Sequence, residues 1–440
     1  MVRGRISVGA LGASLILSLS AQGDPRPSQA AGADRPEIRF IVRPDPERAT
    51  VEVRATVRLD ERRPYLRDFG QLVSIRWSVD GEEVQAEPER LRDGLVFAGL
   101  LRSGEAVALY SLKVVTKPEP GYRKRLMGGN DFLLAREGLF LGKEGSNAQP
   151  VEIEWDLPPG WTLVLGRPGI QTFDRTQKGL WVAGKAQAAF EETIDGRVLR
   201  GAILDGVTKI DGLSLRRALT TIFRSALERF GPARLGAPGG SKGQGGGPDP
   251  GIPSETYGVV VFPEGAIGGG TALGFDLASE EDLPTIVHEM LHWWTNPSAP
   301  AWFREGVHSY VAVKMMMEQG LMTTAGFLEA MRGFHAEHLR VREREGSAAT
   351  LEDSAKAYDQ GKGGGDMYGA MPLLAYKLDR EIRAANPQAD LVQVFIEVCR
   401  RRPVPVDVLA LIKLRTGYDP GPLFERYFFA PIADAGELLR

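Results

Sequence analysis

The hydrophobic period changes near residue 213, and that change limits the fold more than any other feature. From about 36 to 206 the apolar residues come in short, partly alternating runs: "TVEVRATVRL", "LVSIRWSVDG", "AVALYSLKVV", "VEIEWDL" and "GLWVAG". Alternation rich in Val, Ile and Trp buries one face of a strand, and the intervening "VDGEE", "LPPGW" and "IDGR" carry turn residues. Many short strands separated by turns predict a sandwich or saddle of antiparallel sheet. From 213, "LSLRRALTTIFRSALERFG" places apolar residues at helical spacing and stops at Gly231. A glycine-rich loop follows at 236–251, then "YGVVVF", which reads as a buried strand, and then mostly helix with a second glycine-rich break at 360–366. The loop has no GxxxxGK followed by Ser or Thr, so it does not read as a phosphate cradle. The expected architecture is α+β: an N-terminal antiparallel β domain over 37–206 and a mainly helical domain over 207–440.

The first residues carry a different message. "MVRGR" is basic, "ISVGALGASLILSLS" is apolar but short for a membrane span, and "AQGD" offers small residues with Ala21 and Gly23 at −3 and −1. This is the pattern of a secretory signal peptide over 1–23, followed by a Pro-rich linker over 24–36. The expected location is secreted or periplasmic. No later segment is long and apolar enough to span a membrane, so no stable membrane insertion is expected after signal cleavage. Cys399 is the single cysteine, so an exported fold must stand without an internal disulfide. The net charge of −3 gives no pull toward nucleic acid, and no basic stripe with interleaved aromatics suggests a nucleic-acid partner.

All five histidines lie between 288 and 338. Within "HEMLHWWTNPSAPAWFREG", residues 288–306, His288 and His292 are four apart. Ser279, Asp282 and Pro284 suit the start of a helix, and Asn296-Pro297 suits its end. On a helix rising about 1.5 Å per residue the two imidazoles lie one turn apart on one face and converge on one ion. Glu289 is one position round, placed to reach a metal-bound water without ligating. A zinc hydrolase needs a third protein ligand and an open fourth position. Glu305 is the candidate, because the break at 296–300 lets the chain reverse and an antiparallel helix would bring it level with His292. His308, one turn after Glu305, is a candidate substrate contact. His335 and His338 in "FHAEHLR" read as an exposed helix face with no assigned role.

At these residues the chain resembles the gluzincin metallopeptidases, and most of all the glycyl aminopeptidase family, whose thermolysin-like catalytic domain is shared with the aminopeptidase N group. "HEMLHWW" and "WFREGVHSY" carry the resemblance, and "YGAMPLLAYKLDREIR" is similar to the family stretch that opens with the catalytic tyrosine. The resemblance implies Tyr368 as that tyrosine, zinc as cofactor, and a peptide or protein as substrate. It implies an aminopeptidase for small N-terminal residues; a zinc endopeptidase, or a non-catalytic peptide-binding protein that keeps the fold, are the alternatives. Two departures stand out. Gly369, Ala370 and Met371 replace the lysine and glycine that usually follow the tyrosine. The glycine-rich stretch "GGGTALGF" has Thr271 and Ala272 where the family carries an acid. Gly269 and Gly270 are the expected backbone contacts to substrate there, and Glu264, close in sequence on the same segment, is the expected acid to hold a substrate amine if the chain folds back.

Overall fold

A computed structural model describes residues 36–440, apart from 61–62, 67–71, 92–93, 98–99, 101–103, 115–124, 129–131, 136–138, 144–149, 166–168, 173–180, 207–210, 232–255, 263–264, 269–270, 274–282, 347–348, 361–364, 402–403, 433 and 440. The expected signal peptide, the linker up to residue 35 and the glycine-rich loop 236–251 lie outside the described residues, as do Ser279 and Asp282. Pro36–Arg440 form one compact unit. Within it are two hydrophobic cores, one drawn from residues 38–183 and the other from 194–438.

The first core is built by alternation. Strand Thr50–Leu59 buries Val51, Val53, Ala55, Val57 and Leu59 and turns the intervening residues outward. It lies between Ile38–Asp45 and Gly104–Lys113, with Phe40 opposite Ala55 and Val53 opposite both Val42 and Tyr110. These three are the centre of a seven-stranded sheet that is antiparallel except where Ile38–Asp45 runs parallel to Pro150–Trp155. Two four-stranded sheets complete the region. The "VDG" turn joins Leu72–Val79 to Glu82–Val84, with Asp80 at φ 52° and Gly81 at φ 89°. Two successive residues at positive φ match the right-handed twist of the strands, which is why Asp-Gly stands there.

The hydrophobic period places the end of the β region at 206, but the sheet boundary falls earlier. Strands Ala186–Ile194 and Arg197–Leu204 do not join the N-terminal sheets. They pair with each other and join Thr256–Phe262, Gly265–Gly268 and Thr271–Leu273 in a five-stranded sheet of the second half. Arg197–Leu204 runs parallel to Thr256–Phe262, and the crossover between them contains α1 (Gly212–Phe230), the first helix among the described residues. Strand period alone cannot reveal such a partner, because the pairing is made across more than 50 residues.

Helix α1 begins where the Asp211 carboxylate accepts from the amides of Leu213 and Ser214, and ends at Gly231, whose amide bonds Leu227 O. Its inner face buries Leu215, Leu219, Ile222, Phe223 and Phe230. Against it packs α2 (Leu283–Leu291). The further helices are α3 (His308–Glu318), α4 (Thr324–Glu345), α5 (Leu351–Asp359), α6 (Ala370–Ala385), α7 (Leu391–Arg400), α8 (Val408–Thr416) and α9 (Gly421–Tyr427). None of these helices is long and apolar enough to cross a membrane.

Candidate metal centre

The two tryptophans of "HEMLHWW" fix the helix that carries the motif. Trp293 stacks on Phe223 of α1 at 5.5 Å between ring centroids, and Trp294 meets the same ring edge-on at 5.6 Å. The Trp294 indole also donates to Gly231 O at 2.9 Å. Regular α2 ends at Leu291, earlier than the Asn-Pro break would suggest. The chain then tightens, with Trp293 N bonded to Met290 O and Trp294 N to Leu291 O, so His292 sits in the closing turn. Asn296 is fully buried, donating to Val398 O and Val404 O and accepting from Ser298 N. It anchors the reversal that the proline begins.

The returning segment Trp302–Val307 is wound as a π-helix before α3 resumes α geometry, and Glu305 lies within it. One turn of π-helix is uncommon and is found mostly at functional sites. Gly306 follows Glu305 because a Cβ there would overlap the Met371 side chain. That contact brings the start of α6, and with it Tyr368, against the turn that carries Glu305.

These elements converge three donor atoms. His288 Nε2 and His292 Nε2 are 3.0 Å apart, and Glu305 Oε2 lies 3.6 Å from the first and 3.5 Å from the second. Donors held at about 2.0–2.1 Å round a tetrahedral zinc stand about 3.3 Å from one another, so this triangle fits that ion. The tautomer is also prepared. Ser309 Oγ donates to Glu305 O at 2.9 Å, so it accepts from His288 Nδ1 at 3.1 Å, and the lone pair of Nε2 faces the site. Ser309 is one turn beyond Glu305 on the same winding; the i to i+4 spacing is the only sequence signal for it, and the reading of histidines and carboxylates alone passes over it.

The charges are mutually dependent. Burial works against ionisation of Glu305, but its bonds to His288 and His292 outweigh that and hold its pKa far below the usual carboxylate range. Burial likewise opposes a charge on His292, yet Glu305 and Glu289 raise its pKa above the ordinary value. Glu289 is buried, with Oε1 3.6 Å from His288 Nε2 and Oε2 without any hydrogen-bond partner. A buried carboxylate oxygen left open beside a ligand cluster is suited to a water.

His308 does not fit the expectation of a substrate contact. It is fully buried, stacked on His288 at 4.4 Å between ring centroids and edge-on to His292 at 4.3 Å. Its Nδ1 is engaged by Thr295 Oγ1 at 3.0 Å and Arg304 O at 3.1 Å. Burial, followed by the charges of His292 and His288, pushes its pKa well down, so the ring is neutral. Nitrogen atoms of His288, His292 and His308 lie within 4.8 Å of one another. Two stacked imidazoles cannot both direct in-plane lone pairs at one ion, so Glu305, charged and 3.5–3.6 Å from both Nε2 atoms, is the better third donor. Glu264, Gly269 and Gly270 lie outside the described residues. Thr271 belongs to the short edge strand Thr271–Leu273, whose neighbour Gly265–Gly268 packs against α2.

Tyr368 occupies a short 3-10 turn, Gly365–Tyr368, just before α6. Two-fifths of the residue is exposed, but the hydroxyl end reaches inward and donates to Glu305 Oε2 at 3.1 Å. Burial of that end and the Glu305 charge raise its pKa above the ordinary value, so the phenol keeps its proton. A second tyrosine, Tyr358 on α5, stands 6.5 Å from it ring to ring, and burial together with the Glu305 charge pushes its pKa up to about 12. Behind the site, Asp379 of α6 accepts from Tyr310 at 2.8 Å and Lys314 at 2.6 Å, both on α3, and from Leu391 N at 2.7 Å. This buried group ties the helix after Tyr368 to the helix after Glu305.

No protein-family model and no curated protein matches the sequence. Solved structures do. The aminopeptidase N family protein from Idiomarina loihiensis superposes with a TM-score of 0.64 over 91% of this chain and 78% of that one, at 15% identity. Yeast LTA4 hydrolase in complex with bestatin is similar with a TM-score of 0.45, 11% identity, and 92% and 71% of the two chains covered. The M1 zinc metallopeptidase from Deinococcus radiodurans is similar with a TM-score of 0.43, 14% identity, and 88% and 92% covered. The fold is shared with the Idiomarina loihiensis protein: a largely antiparallel β region followed by a mainly helical region.

Proposed function

We propose that this protein is a zinc-dependent peptidase, an aminopeptidase for small N-terminal residues. The observation that carries the reading is the triangle of His288 Nε2, His292 Nε2 and Glu305 Oε2, with the open Oε2 of Glu289 beside it. The zinc ion would be held by those three residues and would supply Lewis acidity to the attacking water and the scissile carbonyl. Glu289 takes the proton of that water and passes it to the leaving amine, which its open oxygen and its place beside the ligands allow. Tyr368, protonated and beside Glu305, donates to the oxyanion that develops as the carbonyl becomes tetrahedral. Ser309 keeps the His288 ring in the ligating tautomer. The likeness to the Idiomarina loihiensis protein, which is described as of the aminopeptidase N family, supports the exopeptidase form.

An aminopeptidase must hold a substrate ammonium in a partly desolvated cleft, and an unpaired buried charge is costly there. Glu264 is proposed as its partner, with Gly269 and Gly270 as backbone contacts to the substrate. Glycyl and alanyl chromogenic amides should be cleaved faster than the same compounds N-acetylated, and Glu264→Gln should remove the preference. Faster cleavage of the blocked compounds makes the enzyme an endopeptidase. Glu289→Gln should keep fold and zinc and lose about 10²–10⁴-fold in turnover. Cleavage unchanged in that variant would remove Glu289 from the mechanism, and a zinc-loaded parent that cleaves no peptide would leave only peptide binding. Export with removal of residues 1–23 is part of the same proposal, and the mass of the mature protein tests it.

A further inference from the structure

The turn that carries Tyr368 is held by a buried ionic cluster with no other evident task. His338 on α4 is fully buried, not on an exposed helix face, and its Nδ1 lies 2.7 Å from Asp366 Oδ2, two residues before Tyr368. The other oxygen, Oδ1, accepts from Ala370 N at 3.1 Å, closing the turn on the start of α6. Asp366 N donates to Ser354 Oγ of α5 at 3.3 Å, and Arg342 Nε of α4 lies 3.5 Å from Oδ2. Asp366 therefore meets three helices within the space of one carboxylate and one amide. The backbone is pressed equally close. A Cβ at Gly369 would stand 2.7 Å from His338 N and from Asp366 Oδ1 and 2.8 Å from His338 Cα, so the residue after the tyrosine must be glycine for the turn to lie flat on α4.

Burying Asp366 with a histidine and an arginine is expensive for the fold unless each bond is made, and apolar residues of similar size would fill the same volume. What the cluster adds is location. On the far side of the turn the Tyr368 hydroxyl must reach Glu305 Oε2 at 3.1 Å, and a shift of the turn by about 1 Å would break that bond. We propose that His338 and Asp366 are positioning residues for the Tyr368 phenol. They hold the Gly365–Tyr368 turn at the height where the hydroxyl serves the metal-ligand site. The inference rests on the peptidase reading for its catalytic consequence, but the placement of the turn stands apart from it. It also accounts for the glycine at 369.

The test is His338→Leu in the full-length protein, read in three ways. Amide hydrogen exchange across 365–370 should quicken by about tenfold, the scale of one lost charge-assisted bond, while 283–294, 308–318 and the zinc content stay as in the parent. On a glycyl or alanyl amide, kcat should fall by about tenfold with KM within about twofold. In a Tyr368→Phe background, His338→Leu should add no further loss of kcat, because the two changes remove the same interaction. His338→Asn, whose amide nitrogen stands about where Nδ1 stands, should restore exchange and kcat. His338→Gln, which keeps a donor but displaces it, takes the same readings at smaller size if the leucine variant does not fold. Exchange that quickens throughout the helical half, unchanged exchange at 365–370, or losses that simply add to those of Tyr368→Phe would each overturn the proposal. If the parent cleaves no peptide, the peptidase reading fails, and the exchange measurement still decides whether the pair places the turn.

Discussion

Ser309→Ala removes one hydroxyl that never touches the metal, and its effect can be worked out from the bonds around it. With zinc bound, His288 must present a bare Nε2, so its proton is fixed on Nδ1, where Ser309 Oγ at 3.1 Å is the acceptor among the described residues. Ser309 is buried, so no solvent replaces the hydroxyl. A buried donor left without a partner costs about 1–3 kcal/mol. Without zinc the ring escapes this cost, because the proton can move to Nε2, which faces His292 Nε2 at 3.0 Å and Glu305 Oε2 at 3.6 Å. The penalty therefore falls on the zinc-bound state alone. At about 1.4 kcal/mol per factor of ten, it weakens zinc binding by about 5- to 140-fold. Loss of a hydrogen bond behind a ligand typically weakens metal binding by about 10–100-fold, which overlaps that range. Competition titration against a chromogenic chelator measures the affinity, with a urea midpoint on the metal-free protein as control. An affinity within twofold of the parent in a folded Ser309→Ala variant would refute the tautomer argument. A midpoint that drops without zinc would show that the hydroxyl serves the fold instead.

Two further outcomes follow from named bonds. Tyr368→Phe should lower kcat much more than it raises KM, since the phenol is assigned to the oxyanion and not to the ground-state carbonyl; steady-state kinetics on an alanyl amide decides, and an altered KM with intact kcat would make Tyr368 a binding residue. Asp379→Asn leaves Lys314 buried and unpaired and should cost about 3–5 kcal/mol at pH 7, read from urea unfolding. Burial opposes ionisation of Asp379, but Lys314 and three hydrogen bonds hold its folded pKa below the ordinary value. The contribution is thus complete above the unfolded pKa of about 3.9 and is lost as pH falls through the lower folded one, so the gap between parent and variant should be flat near neutrality and close only in acid. A gap that closes between pH 8 and 6 would assign the stability to another group.

What could be read from the sequence was local. His288, Glu289 and His292 are related by one helical turn, and the Asn-Pro break before "WFREG" signals a chain reversal, so their meeting with Glu305 follows from spacing. The Asp80-Gly81 and Asp195-Gly196 turns were equally legible, because positive φ at two successive positions selects those residues. The illegible parts depend on distant partners. Strands 186–194 and 197–204 look like the strands before them, and only the pairing of 197–204 with 256–262 assigns them to the second sheet. His338 sits in a helix rich in charge, and its burial follows from Asp366, 28 residues on. The π-helical turn at 302–307 has no compositional signal. It is the form the chain takes where Gly306 must clear Met371 while Glu305 reaches the two imidazoles. Tyr368 was reached by resemblance, since 63 residues separate it from Glu305.

The central claim is that His288, His292 and Glu305 hold one zinc ion, with His308 stacked behind them and outside the set. Metal analysis of the purified protein by mass spectrometry, on the parent and on His292→Ala, Glu305→Gln and His308→Ala, tests it most directly. One zinc per chain is expected in the parent, a removable metal that a chelator strips and zinc salt restores, with occupancy lost in the first two variants and kept in His308→Ala. Full zinc in His292→Ala, or zinc lost in His308→Ala while Glu305→Gln retains it, would contradict the account.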